Sequence, residues 1–417
     1  MSERKNNINR RAFLRSAGAT GIASVFASAK GLASQQDPNT PAAEPNAPAG
    51  KPEILQVPKR PLGKTGVKVP ILTLGGIFDI ENNQVVLQKA IEWGVTYLDT
   101  AHGYTGGKSE VGIGKYLKKY PEMREKLFIV TKASGANDVS GMEQRLQTSL
   151  QRLNTSYVDS YFIHGLGDPG LLTEEVRSWV EDAKKRKLIR FFGFSTHGNM
   201  AKCMAGAAKL GWVDVIMTKY DFRLMQEPEI SAAVQVCYDK GVGLVAMKAQ
   251  AASPIKPDAE EDQKLAGHFL KQGYSEHQAK MKMVWQDKRI ASICSQMATV
   301  AVLGANVAAA LDKTSLTRND VEVLRRYAQA TCGSYCAGCA EICSRAMPEG
   351  QYISEVMRYL MYSRYYGDEQ RARELFAQIP REARKTLCAI DYSRAESLCP
   401  QHLPIGKLMA EAASELA

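Results

Sequence analysis

Three absences narrow the reading of this 417-residue chain before any motif is weighed. It has no apolar run of the roughly 20 residues that a membrane span requires. The nearest approach, residues 16–29, is short and made mostly of Ala, Gly and Ser. It also lacks a basic face of the kind that grips nucleic acid. The formal charge is +10, but Arg4, Lys5, Arg10, Arg11 and Arg15 against Glu3 place +4 of it in the first 29 residues, leaving +6 for the rest. The remaining Lys and Arg stand mostly among carboxylates on helical stretches such as EEVRSWVEDAKKRK, where i,i+3 and i,i+4 pairing on a solvated face is ordinary. Third, the nine cysteines are too unevenly spread for a disulfide framework. Cys203, Cys237 and Cys294 sit singly in apolar segments as small hydrophobes, while the other six crowd into the tail.

What is present divides into four stretches. Residues 1–29 read as an address: NRRAFLR places an arginine pair before Phe13 and Leu14, a weakly apolar run follows, and Ala27-Ser28-Ala29 offers a cleavage site. This resembles a twin-arginine signal peptide and implies an exported, periplasmic or otherwise extracytoplasmic protein. The translocase is then a transient partner, and the chain crosses folded with any cofactor inside. Residues 30–58, with DPNTPAAEPNAPAGKP, cannot bury enough surface to fold and read as a linker. Residues 59–315 alternate short apolar strands with helical stretches. The strands are VPILTLGG, VTYLDT, KLFIVTK, YVDSYFIH, IRFFGFS, DVIMTKY, VGLVAMK and RIASICSQM, which predicts an α/β chain closed into a (β/α)₈ TIM barrel. Residues 316–417, with YISEVMRYLMYSRYY and DEQRARELFAQI, predict a small α-helical, Cys-rich C-terminal domain.

Three strands end on an ionisable residue: Asp99, Lys132 and His164. Tyr104 follows five residues after Asp99 in the next loop. Active sites of such barrels are built at the strand C-termini, so the four residues converge on one face. RPLGKTGVKVPILTLGG, YLDTAHGYTGGKSEVGIGKYL, FIVTKAS and DSYFIHGL resemble the N-terminal hairpin and the Asp, Tyr, Lys and His segments of the aldo-keto reductases. That resemblance implies an NAD(P)-dependent oxidoreductase interconverting a carbonyl and an alcohol. The expected substrate is a small aldehyde, ketone or alcohol, such as a sugar derivative. Reduction needs a hydride that no side chain supplies and a proton for the oxygen. Tyr104 is the expected proton donor, with Lys132 lowering its pKa, Asp99 holding Lys132, and His164 orienting the carbonyl. His102 in the same loop is a secondary candidate.

For the cofactor, the resemblance assigns Ser195, Thr196, Met217, Tyr220 and Lys248 to the nicotinamide side and Asn306 to the adenine side. Thr196, Met217 and an alanine at 301 depart from the family pattern, and no 2′-phosphate pocket is marked, so NADP and NAD stay open. These departures also keep a second reading, a catalytically degenerate barrel serving as a binding or electron-transfer module. In the tail, TCGSYCAGCAEIC holds Cys332, Cys336, Cys339 and Cys343 at C-x3-C-x2-C-x3-C spacing, close to a ferredoxin run. It resembles the ferredoxin-like extension of some exported aldo-keto reductases and implies one 4Fe-4S cluster. Its ligands are either that run or Cys332, Cys336 and Cys339 with Cys399, leaving Cys343 and Cys388 to pair as a disulfide. Structural zinc or two disulfides are the competing readings of the same residues.

Overall fold

A computed structural model describes residues 56–136, 138–250, 259–332, 335–336, 338, 340–347, 352–366, 368–399 and 401–417. The stretch read as a signal peptide, nearly all of that read as a linker, and Cys339 lie outside these residues. Among them, no helix is long and apolar enough to cross a membrane.

The chain opens with an antiparallel hairpin, β1 (Lys59–Pro61) and β2 (Lys68–Pro70), in which Arg60 faces Val69. Eight parallel strands then close on themselves: β3 (Leu72–Gly75), β4 (Tyr97–Asp99), β5 (Phe128–Ala133), β6 (Val158–Ile163), β7 (Ile189–Thr196), β8 (Val215–Lys219), β9 (Gly243–Met247) and β10 (Ser292–Gln296). β10 returns to pair with β3, Ile293 beside Leu72, so no edge is left exposed. This is the (β/α)₈ barrel that the alternating pattern predicts.

Alternation within each strand sorts the side chains into two cores. Tyr97, Phe128, Val130, Phe162, Val215, Met217 and Val245 fill the barrel interior, where Leu62 and Val69 of the hairpin join them. Leu74, Leu98, Ile129, Phe192, Phe194 and Leu244 face outward against the helices. At the next inward position of several strands, the apolar interior gives way to a polar layer: Asp99 after Tyr97, Lys132 after Val130, Lys219 after Met217. Strand and helix starts are punctuated locally. Asp138 caps helix Val139–Leu153 by accepting from Gly141 N–H, and Ser275 forms a capping box with Gln278 before Glu276–Gln286.

The tail is helical, as expected. Helix Arg318–Ala330 packs Leu324 and Tyr327 against Leu265, Phe269 and Tyr274 on the barrel's flank. The helices from Ile353–Tyr366 to Ile405–Glu415 share a separate core around Val356, Leu360, Phe376 and Met409. This second unit sits over the C-terminal ends of the strands. Lys219 Nζ donates to the Cys336 carbonyl at 2.7 Å, and Asn199 N–H donates to the Gly338 carbonyl at 3.1 Å.

Candidate active site

The four residues singled out in the sequence meet at the mouth of the barrel. Lys132 Nζ, fully buried, donates to Asp99 Oδ1 at 2.6 Å, to the Thr100 carbonyl at 2.8 Å and to the Tyr104 hydroxyl at 3.3 Å. Tyr104 stands at the start of a 3₁₀ turn, Tyr104–Gly107, whose Thr105, Gly106 and Gly107 all have left-handed φ. Thr105 at φ +49° is a strained choice for a residue with a branched side chain. The turn is tied down from outside: Arg152 donates to the His102 carbonyl at 2.9 Å and to the buried Glu110 carboxylate at 3.2 Å. His164 meets the Tyr104 ring edge-on with centroids 5.6 Å apart, and its Nδ1 is 2.7 Å from Ser134 Oγ. Nε2 is then the nitrogen left to face a ligand. His102 stays half-buried in the loop.

Electrostatics refine the expected roles. Asp99 holds the Lys132 pKa above its ordinary value against the opposing effect of burial, so the ammonium stays charged. Tyr104 does not come down toward neutrality: burial pushes it up to about 12, Lys132 opposes, and Asp99 adds to the rise. Burial, with Asp99 adding to it, thus outweighs the cation expected to make Tyr104 acidic. Burial, followed by the charges of Lys132, Arg371 and Arg358, pushes His164 down to about 3, leaving a neutral imidazole.

Cys294 of β10 packs as a small hydrophobe against the apolar barrel interior, near Asp99, and burial pushes its thiol pKa up.

The residues assigned to the cofactor divide. Ser195 Oγ accepts from Gly165 N–H at 3.0 Å at the mouth, while the Thr196 hydroxyl is turned to the Gly198 carbonyl at 2.9 Å. Asn306 donates to Ser295 Oγ and accepts from Gln250 Nε2, both at 3.1 Å. Two of the assigned side chains lie away from these hydroxyl and amide groups. Met217 lies in the apolar barrel interior, so Lys219 takes the mouth position on β8. Tyr220 has the opposite parity to Lys219: its ring packs in the layer between strands and helices and its hydroxyl donates to Asp287 at 2.7 Å. Lys248, with φ +59°, lines a cavity of about 290 Å³ between the strand ends and the tail, together with His197, Lys219, Cys336 and Arg358. The hydroxyl and amide groups of Ser195, Ser295, Gln250 and Asn306 suit the neutral carboxamide and base of a nicotinamide dinucleotide, so the residues present fit that group.

In the tail, Cys336, Cys343 and Cys399 line one small apolar cavity, and Cys332 is not part of its lining. The structure thus brings together cysteines from both expected ligand sets. Cys343 and Cys388 are not joined in a disulfide. Among the described residues, no three His, Cys, Asp or Glu side chains are placed to hold a single metal ion.

With this geometry in view, the family follows. Residues 73–329 match the model of the aldo/keto reductase family, and the chain belongs to that family. It is 27% identical over 235 residues to an aldo-keto reductase of Fusarium vanettenii, a match covering 46% of this chain and 63% of that protein. It is 40% identical over 116 residues to a methylglyoxal reductase of Yersinia pestis, covering 27% of this chain and 40% of that protein. The chain therefore spans less than two thirds of either relative. Among solved structures, a thermostable aldo-keto reductase in complex with the inhibitor epalrestat superposes with a TM-score of 0.55 at 26% identity, over 65% of this chain and all of that one. One from Klebsiella pneumoniae in complex with NADPH shares the fold, with a TM-score of 0.52 at 21% identity, over 65% of this chain and 94% of that one.

Proposed function

We propose that this chain is an oxidoreductase that interconverts a small carbonyl compound and its alcohol, with Tyr104 passing the proton. The observation that carries this reading is the buried relay from Asp99 through Lys132 to the Tyr104 hydroxyl. A bound nicotinamide dinucleotide, the kind of cofactor carried by the similar Klebsiella protein, supplies the hydride. Ser195 would hold its nicotinamide end, and Gln250 with Asn306 its base. With a pKa near 12, Tyr104 keeps its proton at working pH until charge develops on the substrate oxygen. The developing alkoxide is a stronger base than tyrosinate, so the proton moves to it. The buried Lys132 ammonium, 3.3 Å away, stabilises the tyrosinate left behind. His164, neutral and fixed at Nδ1 by Ser134, donates from Nε2 to the carbonyl oxygen and aims it at Tyr104.

Replacing Tyr104 by Phe removes the proton donor and little volume. Aldehyde-dependent NADPH oxidation is expected to fall by about 10²–10⁴-fold, while NADPH still quenches protein fluorescence at an unchanged concentration. Near-normal turnover in the Tyr104→Phe protein rules the reading out.

Two further parts of the proposal rest mainly on the sequence. Export follows from the arginine-pair leader, and fractionation of cells is expected to find the protein outside the cytoplasm, with Arg10→Lys/Arg11→Lys retaining it inside. A 4Fe-4S cluster in the tail is supported by the three cysteines that line one cavity. Iron and acid-labile sulfide in anaerobically purified protein test it; zinc without sulfide excludes it.

A further inference from the structure

The cavity of about 290 Å³ at the barrel mouth is walled on one side by strand-end residues and on the other by the tail. Its barrel side gives Lys219 and Lys248; its tail side gives Arg358. Among its described lining residues Glu355 is the only carboxylate. Lys219 donates to a neutral carbonyl, that of Cys336, and lies 4.3 Å from the centroid of the Tyr335 ring. Lys248 stands 4.7 Å from the centroid of the Tyr362 ring. A second carboxylate nearby, Asp221, accepts from the Tyr335 hydroxyl and from the backbone of Arg223 and Leu224, with the Arg223 guanidinium close to the same ring. Among the described residues, cations therefore outnumber carboxylates around a partly enclosed space, where like charges repel more strongly than they would in water. Tyr362 registers this field: burial would push its pKa up, yet Lys248, Arg358 and Arg371 pull it below the ordinary value.

The cavity adjoins the reacting centre. Gly165, which follows His164 in the chain, and His197 both line it. Its tail wall, which includes Tyr335, Cys336, Glu355, Arg358 and Met361, lies beyond the segment that matches the family model, so this half of the cavity is added by the tail. We propose that the cavity is a subsite for an oxyanion on the substrate, a carboxylate or phosphate, with Arg358 of the tail completing the cation set begun by Lys219 and Lys248. The substrates are then small anionic carbonyl compounds, held with the carbonyl at Tyr104 and His164 and the oxyanion beyond His164. This rests on the oxidoreductase reading above. The same cations would also suit the diphosphate of a dinucleotide, and the experiment separates the two sources.

Inorganic phosphate is titrated into the full-length protein while the thermal midpoint and NADPH fluorescence are followed. In parallel, para-carboxybenzaldehyde and para-tolualdehyde are compared as substrates. Wild-type protein is expected to show a saturable rise in midpoint with phosphate, and phosphate to compete with the carboxylated aldehyde but not with NADPH. In Arg358→Gln the phosphate concentration for half-effect rises about tenfold or more. The ratio of kcat/KM for the anionic over the neutral aldehyde falls by a similar factor, and Arg358→Lys restores most of both. Absence of saturable phosphate binding overturns the subsite, as does displacement of NADPH by phosphate, which would give the cations to the cofactor. Equal kcat/KM for the two aldehydes refutes the subsite while leaving the oxidoreductase reading intact. Saturable phosphate binding that depends on Arg358, in a protein that reduces neither aldehyde, upholds the site and removes the activity.

Discussion

At the scale of single residues, the site turns on what happens to a charge taken out of water. Lys132 and Asp99 are both almost fully buried, and each is tolerable there because the other is 2.6 Å away. Lys132→Met keeps the length of the stem and deletes the charge. It is expected to cost about 3–5 kcal/mol of stability, since Asp99 is left buried without its cation, and to reduce turnover by at least about 10²-fold. Adding Asp99→Asn should return part of the stability and none of the activity. A urea-unfolding double-mutant cycle showing no coupling between the two positions contradicts the pairing.

His164 makes a pH dependence with a definite sign. Its folded pKa of about 3 lies below the ordinary 6.5. Between those values the unfolded chain binds a proton that the folded chain refuses. Its contribution is therefore fully present above pH 6.5 and is lost as pH falls toward 3, by up to about 1.4 kcal/mol per unit. Urea midpoints of the His164→Gln protein should fall less steeply from pH 6.5 to pH 4 than those of wild type. Some slope remains, because burial also depresses His197. Identical slopes in the two proteins would show that His164 does not titrate as described.

At the scale of elements, the barrel is legible because a buried parallel strand writes itself as a short apolar run, and eight such runs allow few other closures. The same logic locates Asp99, Lys132 and His164 at strand ends, and it extends to Lys219, the last residue of β8 although Tyr220 closes the apolar run DVIMTKY. Tyr220, assigned to the cofactor by resemblance, faces the helices instead, since side chains alternate and Met217 and Lys219 face in. Arg358 had no such signal, because its place depends on how a separate helical unit docks. Strand spacing also fixes one position by what it excludes. A Cβ on Gly193 of β7 would lie 1.8 Å from the Val215 carbonyl and 2.9 Å from the Phe162 ring. Gly193→Ala must therefore push β8 away from β7, and a loss of about 1–3 kcal/mol or more is expected in urea unfolding. A variant as stable as wild type would mean that the two strands are not so closely apposed.

At the scale of the whole molecule, the barrel and the last tail helices have separate apolar cores, and a small polar joint contributes to holding them together beside the apolar packing of helix Arg318–Ala330. Arg223 is its centre. Buried at the end of β8, it donates to the Ala328 carbonyl at 2.9 Å and to the Thr331 hydroxyl, and its guanidinium lies about 5 Å from the rings of Tyr327 and Tyr335. Tyr335 in turn donates to Asp221 at 2.9 Å, and Lys219 reaches Cys336 beside it. Removing the guanidinium leaves a buried carbonyl and hydroxyl without their charged donor, which costs more than the bonds themselves contributed. The tail core does not contain Arg223 and keeps its own packing. Arg223→Ala is thus expected to loosen the joint without unfolding either unit, so that calorimetry shows an added low-temperature transition and proteolysis cuts first near residues 330–350. The oxyanion subsite, which needs Arg358 held against Lys219 and Lys248, should weaken at the same time. One unchanged calorimetric transition with unchanged phosphate binding would show that the tail is held by something other than this joint.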